Sequence, residues 1–184
     1  MKLQTIIFST RPGRIGPAIA TWFNDYAKAN SAFECELVDL ADFNLPVFDE
    51  PRHPRLGEYE HAHTKAWAKS VASADAFAFV IPEYNYFAPV SLVNAITYLS
   101  SEWNAKPAGL VSYGGLSGGL RAAQSSKSLL TTVGIMPMPQ AVAIPMAMSA
   151  IKDGVYTANE AVGSSAKAML EALSKWSVAL KTMR

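Results

Sequence analysis

A doubly wound α/β sandwich is the fold class this sequence predicts, and three observations carry the prediction. Strand-like and helix-like patterns alternate along the chain, five of each, as they must when parallel strands are joined by crossover helices. The run Ala76-Phe77-Ala78-Phe79-Val80-Ile81 is apolar on both alternating sets, which suits a strand covered on both faces. The 184 residues match one domain in size, and 50% are hydrophobic, enough for helical layers on both sides of a sheet.

Lys2–Ser9 reads as the first strand. It leads into a helix whose apolar stripe is Ile15, Ile19, Trp22, Phe23 and Tyr26, at spacings of one face of a 3.6-residue turn. Phe33–Asp39 is the second strand. A proline-rich irregular stretch, 40–57, follows, and then a weaker helical pattern near 58–73 where a crossover is needed. Ala76–Ile81 is the third strand, and Leu92, Ile96, Leu99 and Trp103 mark the helix after it. Ala108–Tyr113 is the fourth strand, with a helix near 119–133. Gln140–Ile144 is the fifth strand, and residues 145–158 are again irregular. The chain closes on a long helix striped by Val162, Ala166, Met169, Leu170, Leu173, Trp176 and Leu180. No repeat or linker divides it, so residues 1–184 are expected to form one domain.

Composition excludes several classes of function. Sixteen Lys+Arg against 15 Asp+Glu leave a net charge of +1 with no basic tract, so the electrostatic footprint of a nucleic-acid binder is missing. A single cysteine, Cys35, can form neither an internal disulfide nor a cysteine-based metal site, and mid-strand it reads as a small buried side chain. Residues 128–151 carry no charge, but Gly134, Pro137, Pro139, Gln140 and Pro145 interrupt any apolar helix of about 20 residues. The opening segment is too short for a secretory signal. The expectation is a cytoplasmic protein with no membrane and no nucleic-acid partner.

Ligands of open α/β sheets collect beyond the carboxyl ends of the strands, which directs attention to three loops. Ser9-Thr10-Arg11-Pro12-Gly13-Arg14-Ile15-Gly16-Pro17 follows a strand and opens a helix, with Pro17 suited to the first turn. A helix N-terminus with two arginines and two hydroxyls suits a terminal phosphate. The loop is neither Gly-x-Gly-x-x-Gly nor a P-loop. Pro82-Glu83-Tyr84-Asn85-Tyr86-Phe87-Ala88-Pro89 sets aromatic side chains and an amide at the end of the most apolar strand, where they can border a flat heteroaromatic ring. Glu83 reads equally as a helix-cap partner. Ser112-Tyr113-Gly114-Gly115-Leu116-Ser117-Gly118-Gly119 concentrates four of the chain's 11 glycines in six residues, which allows close approach of main chain to a ligand. Gly114 and Gly115 are expected at the ligand, with Gly118 and Gly119 opening the next helix.

Two other patterns carry no chemistry. Gly115-Leu116-Ser117-Gly118-Gly119 matches a nucleophile elbow, but that triad needs a histidine after the serine, and His53, His61 and His63 all precede it. His61 and His63, two residues apart, would point about 200° apart on a helix and cannot share an ion there.

The three loops together resemble the NADPH-dependent FMN reductase family of flavodoxin-like flavoproteins, from the first strand to the helix near 133. Pro82-Glu83-Tyr84-Asn85 and Ser112-Tyr113-Gly114-Gly115 are similar to the family's isoalloxazine loops, and Asn94-Ala95-Ile96 to its following helix. The phosphate loop departs from the family's Gly-Ser-x-Arg-x-x-Ser form. Ser9-Thr10-Arg11 replaces its opening, and Gly16 stands where a second serine is common, so one hydroxyl contact is lost and Arg14 is its expected substitute. Val93 and Thr97 replace a lysine and an aspartate that often flank the Asn-Ala pair.

The resemblance implies FMN, held by Ser9, Arg11, Arg14, Ile15 and Gly16 at its phosphate and by Pro82, Glu83, Tyr84, Asn85, Ser112, Tyr113, Gly114 and Gly115 at its ring. It implies a strand order of 2-1-3-4-5 and a homodimer or tetramer. It also implies hydride transfer from NADPH or NADH through flavin N5 to a small acceptor: a quinone, azo compound, metal oxyanion or free flavin. No protein nucleophile is required, because the cofactor carries the chemistry. The alternative is a flavodoxin-type electron carrier that docks on protein partners; such carriers are strongly acidic, and this chain is near neutral.

Overall fold

In the computed structural model, which describes residues 1–184, strand β3 (Ala76–Pro82) is buried along its whole length at the centre of a parallel sheet. β1 (Lys2–Ile7) and β2 (Glu34–Asp39) lie on one side of it, and β4 (Lys106–Tyr113) with the short β5 (Ile135–Pro137) on the other. The order is β2-β1-β3-β4-β5, all parallel, as the family resemblance implies.

Alternation along β3 assigns its residues to two cores. Phe77, Phe79 and Ile81 face a cluster that includes Trp67 and Trp103, under α2 (Ala62–Ala72), α3 (Val90–Thr97) and α4 (Leu120–Thr132). Ala76, Ala78 and Val80 face the other cluster, under α1 (Gly16–Asn30) and α5 (Glu160–Lys181). The small residues on that second face let α5 approach closely. A Cβ at Gly109 of β4 would sit 2.5 Å from Met169 Sδ of α5. Helices on both faces of one sheet make the three-layer fold.

Three expectations are corrected in detail. The strand expected at Gln140–Ile144 is present as β6 (Val142–Ile144), which pairs with Val111–Tyr113, but it is preceded by an unexpected short strand, β5, which pairs with Lys106–Ala108 of the same neighbour. Pro137 and Pro139 lack the N–H that a continuous ladder needs, so the chain bulges between the two segments. The helix after β3 ends at Thr97 rather than running on to Trp103. Trp103 stands on a separate 3-10 turn, Ser101–Trp103, where its indole N–H donates to Ile96 O.

The helix predicted near 58–73 begins only at Ala62, because the preceding segment is fastened elsewhere. The Glu50 carboxylate accepts from the backbone N–H groups of Glu60 and His61. His61 therefore precedes the helix instead of lying on it. Its ring stacks on that of His63 with centroids 5.2 Å apart, and both rings face Asp49. Beyond β6, a hairpin of β7 (Ile151–Lys152) and β8 (Val155–Tyr156) completes the 145–158 excursion beside α1. No helix is long and apolar enough to cross a membrane.

Candidate functional site

The loops after β1, β3 and β4 converge on one cavity of about 530 Å³ at the carboxyl edge of the sheet. Arg11, Arg14 and Ile15 line it from the first loop, Pro82, Glu83 and Tyr84 from the second, and Tyr113, Gly114 and Gly115 from the third. Met146, Met148 and Ser149 supply a fourth wall. Of the remaining predicted residues, Ser9 and Gly16 lie behind the arginine end, Ser112 is buried beneath the glycine loop, and Asn85 faces an adjoining pocket.

The arginine end is built for an anion. No side chain caps α1, and Pro17 occupies its first turn, so the helix presents backbone donors and its positive dipole end. The two arginines differ. Arg14 binds Asp39 in bidentate fashion at 2.7 and 2.5 Å and also donates to Ser9 O at 2.6 Å, so it braces the loop against the end of β2. This pairing raises its already high pKa. Arg11 is exposed; its one weak bond is to Pro12 O, and its guanidinium stands 5.9 Å from the Tyr84 ring. It is the cation free to meet a ligand.

Behind this end the Ser9 and Tyr113 hydroxyls are both buried and lack hydrogen-bond partners. They lie close enough to influence each other without the geometry of a hydrogen bond. Burial pushes the Tyr113 phenol up to about 12, against smaller lowering influences from Ser9 and the two arginines, so it stays a neutral donor. A Cβ at Gly16 would lie 2.2 Å from Ser9 Oγ and 2.8 Å from Tyr113 Oη. That crowding explains why glycine, not serine, stands at position 16: two other hydroxyls already fill the space. Unpartnered buried hydroxyls beside an uncapped helix are what a bound phosphate would satisfy. The donor set therefore fits FMN at its phosphate.

The opposite end is made of backbone and aromatic faces. Tyr84 and Phe87 exchange backbone hydrogen bonds across a two-residue turn, which places Asn85 and Tyr86 at φ +50° and +63°. Glu83 is turned away from the cavity toward α4. Its carboxylate accepts from Ser117 Oγ at 2.9 Å, from the backbone N–H groups of Arg121 and Ala122, and from the Arg121 guanidinium. Burial opposes the charge, but these donors together hold its pKa below the ordinary glutamate value. Its helix-cap reading is the one the geometry favours.

Glu83→Ala is accordingly expected to lower stability by about 1 kcal/mol at neutral pH. A depressed carboxyl pKa contributes stability that is full above the unfolded value and lost as pH falls through the folded one. The difference between wild type and variant should therefore shrink in acid, as urea melts at pH 7 and at pH 4 would show.

The glycines of this loop have two separate roles, and Gly119 directly precedes α4. Gly114 and Gly115 do line the cavity, and a Cβ at Gly115 would meet nothing within 4 Å. Gly118 and Gly119, however, are the residues at φ +62° and +80°, jammed against Pro145 N and Tyr113 N. They fold the loop. Ser112 supports the same turn by donating to Gly118 O at 2.9 Å.

Met146, Met148 and Ser149 were not among the predicted site residues. Their loop is stitched to the glycine loop by Met146 N to Gly115 O at 2.9 Å and Ala147 N to Gly114 O at 3.1 Å. A signal existed, since this segment too follows the carboxyl end of a strand of the sheet.

A parallel α/β sheet with an anion cradle and an aromatic and glycine-lined wall at its carboxyl edge defines a phosphorylated-ring binder of flavodoxin-like topology. The family model of NADPH-dependent FMN reductases matches residues 1–149. An NAD(P)H-dependent FMN reductase of Schizosaccharomyces pombe is 46% identical over 125 residues, covering 67% of this chain and 62% of that protein. One from a Nectria species is 36% identical over 165 residues, covering 84% of this chain and 82% of the relative. In structure, the flavoenzyme NAD(P)H:(acceptor) oxidoreductase FerB of Paracoccus denitrificans superimposes with a TM-score of 0.75 at 21% identity, over 96% of this chain and 97% of that one. The chain belongs to the NADPH-dependent FMN reductase family, and so to the oxidoreductases that work with FMN and NAD(P)H.

Proposed function

We propose that residues 1–184 act as one FMN-binding unit that passes hydride from NAD(P)H to a small organic or inorganic acceptor. The observation that carries this reading is the convergence of three βα loops on one cavity, with a free arginine and an uncapped helix at one end and a glycine and tyrosine wall at the other. Arg11 and the first-turn donors of α1 hold the phosphate, and Ser9 and Tyr113 offer hydroxyls from behind. Ile15, Pro82, Tyr84, Gly114 and Gly115 confine the ring. Arg14, Gly16, Glu83 and Ser112 keep these loops in place, and Asn85 lies at the outer margin.

When bound, FMN supplies the hydride-accepting centre at N5. The chain's own work is then to orient and to shield. The walls cover one face of the ring, and the reaction needs no side-chain nucleophile or acid–base pair. Met146 and Met148 are exposed at the cavity margin and flexible, which suits them to acceptors of varied shape. Quinones, azo compounds, metal oxyanions and free flavins are the acceptor classes to compare. Tyr86 and Leu116, which line the adjoining pocket, and Phe87 on the same turn are exposed, and these uncovered apolar side chains support assembly as a homodimer or tetramer. We place the enzyme in the cytoplasm, where its nicotinamide reductant is supplied.

The purified protein is expected to be yellow, or to become so on adding FMN. Its flavin absorption should bleach on addition of NADPH or NADH alone and return with a quinone. A flavin that bleaches only when a separate reductase protein is added would make the chain a flavodoxin-type carrier instead, and failure to bind FMN would end both readings.

A further inference from the structure

Beside the cavity lies a second pocket of about 700 Å³, joined to it through Glu83 and Gly115 and otherwise lined by Asn85, Tyr86, Ser117 and Arg121 together with one exposed leucine. We propose that this pocket binds the 2′-phosphate of NADPH and that Arg121 is the residue that reads it. The inference rests on the reductase reading above and deepens it.

Arg121 is the pocket's one cation, and it is held in place from two sides. Its guanidinium lies 4.3 Å from the Tyr86 ring centroid, and one terminal nitrogen is 3.2 Å from Glu83 Oε1. Nε and the other terminal nitrogen bond to nothing in the chain, and the side chain is half exposed to the pocket. A planar guanidinium fixed by stacking, with donors left over, is well suited to a phosphate monoester.

Glu83 does not oppose such a ligand strongly. Its side chain is only 7% exposed, and its oxygens are already engaged by four donors. The Asn85 amide has no partner within the chain and offers a further neutral donor at the rim. The pocket is therefore polar and carries its cation outward, whereas the side of the cavity that it joins, away from Arg11 and Arg14, is walled by rings and glycines. A molecule with a flat end laid against the flavin held in the cavity and an anionic group beyond it would reach both. NADPH has that form, and NADH carries a neutral hydroxyl where NADPH carries the phosphate.

The test compares wild type, Arg121→Ala and Arg121→Lys as full-length holoprotein. Calorimetry with 2′,5′-ADP and with 5′-AMP reads binding without turnover. Steady-state oxidation of NADPH and NADH against one quinone reads discrimination, and light scattering reads the mass. Wild type is expected to bind 2′,5′-ADP at least tenfold more tightly than 5′-AMP. Arg121→Ala should abolish that margin and lower the NADPH-to-NADH ratio of kcat/KM by about tenfold or more, with Arg121→Lys between.

Equal losses for the two nucleotides would overturn the proposal. So would a wild type that binds 2′,5′-ADP no better than 5′-AMP, or an Arg121→Ala variant whose mass changes while the ratio does not, which would make Arg121 a contact between copies. If wild type oxidises neither nucleotide, the reductase reading fails, and the calorimetric comparison still decides the role of Arg121.

Discussion

Replacing Arg11 with alanine is expected to weaken FMN binding by about ten- to a hundredfold while changing riboflavin binding little. Charge-assisted hydrogen bonds to a phosphate contribute roughly 1.5–3 kcal/mol each, and riboflavin has no phosphate to lose. The prediction singles out Arg11 because Arg14 is already committed to Asp39 and Ser9. Arg14→Ala should behave differently. It frees Asp39 and loosens the loop, so both flavins should weaken and the melting temperature should fall. Fluorescence titrations of FMN and riboflavin, with a melt of each variant, separate the two arginines. Equal losses of FMN and riboflavin in Arg11→Ala would contradict the phosphate assignment.

The second large effect is expected at Gly119. Its φ of +80° is disfavoured for any residue with a Cβ, and that Cβ would lie 2.6 Å from Tyr113 N and 2.8 Å from Tyr113 O. Neither neighbour is a flexible side chain that could swing aside, so the end of β4 or the start of α4 must move. Gly119→Ala should cost more than about 2 kcal/mol and reduce FMN binding with it. Gly115→Ala is the contrasting variant. Open space surrounds its Cβ position, so the fold should keep its stability while the new methyl intrudes on the cavity and weakens FMN. Urea melts and flavin titrations on the pair distinguish a glycine needed by the loop from a glycine needed by the ligand.

The legible part of this protein follows from periodicity and connectivity. The all-apolar run at Ala76–Ile81 requires cover on both faces, and the structure supplies it, with Phe77 and Phe79 toward one helical layer and Ala76 and Ala78 toward the other. The loops after the first, third and fourth strands were identifiable because parallel connections place them on one edge. The short strand β5 was less so. Val142–Ile144 falls within the strand expected at Gln140–Ile144, but that Ile135–Pro137 already pairs with β4 before the prolines interrupt the chain depends on register, which no local pattern states. The histidines illustrate the same gap. Their stacking depends on Glu50 holding the backbone before α2, and Glu50 lies 11 residues from His61.

By itself, then, the amino-acid order determined the layers and the three loops that meet, because each is set by local periodicity and the handedness of crossovers; the strand order followed from the family resemblance those loops carry. Only the tertiary structure decided which arginine is free, what Gly118 and Gly119 are pressed against, and that Met146, Met148 and Ser149 close the cavity. Those outcomes depend on partners brought from elsewhere in the chain: Asp39 to Arg14, Tyr113 to Gly119, and Gly114 and Gly115 to the loop after β6. A side chain's chemistry is fixed by its type, but what remains of it for a ligand is fixed by whatever the fold has already set against it.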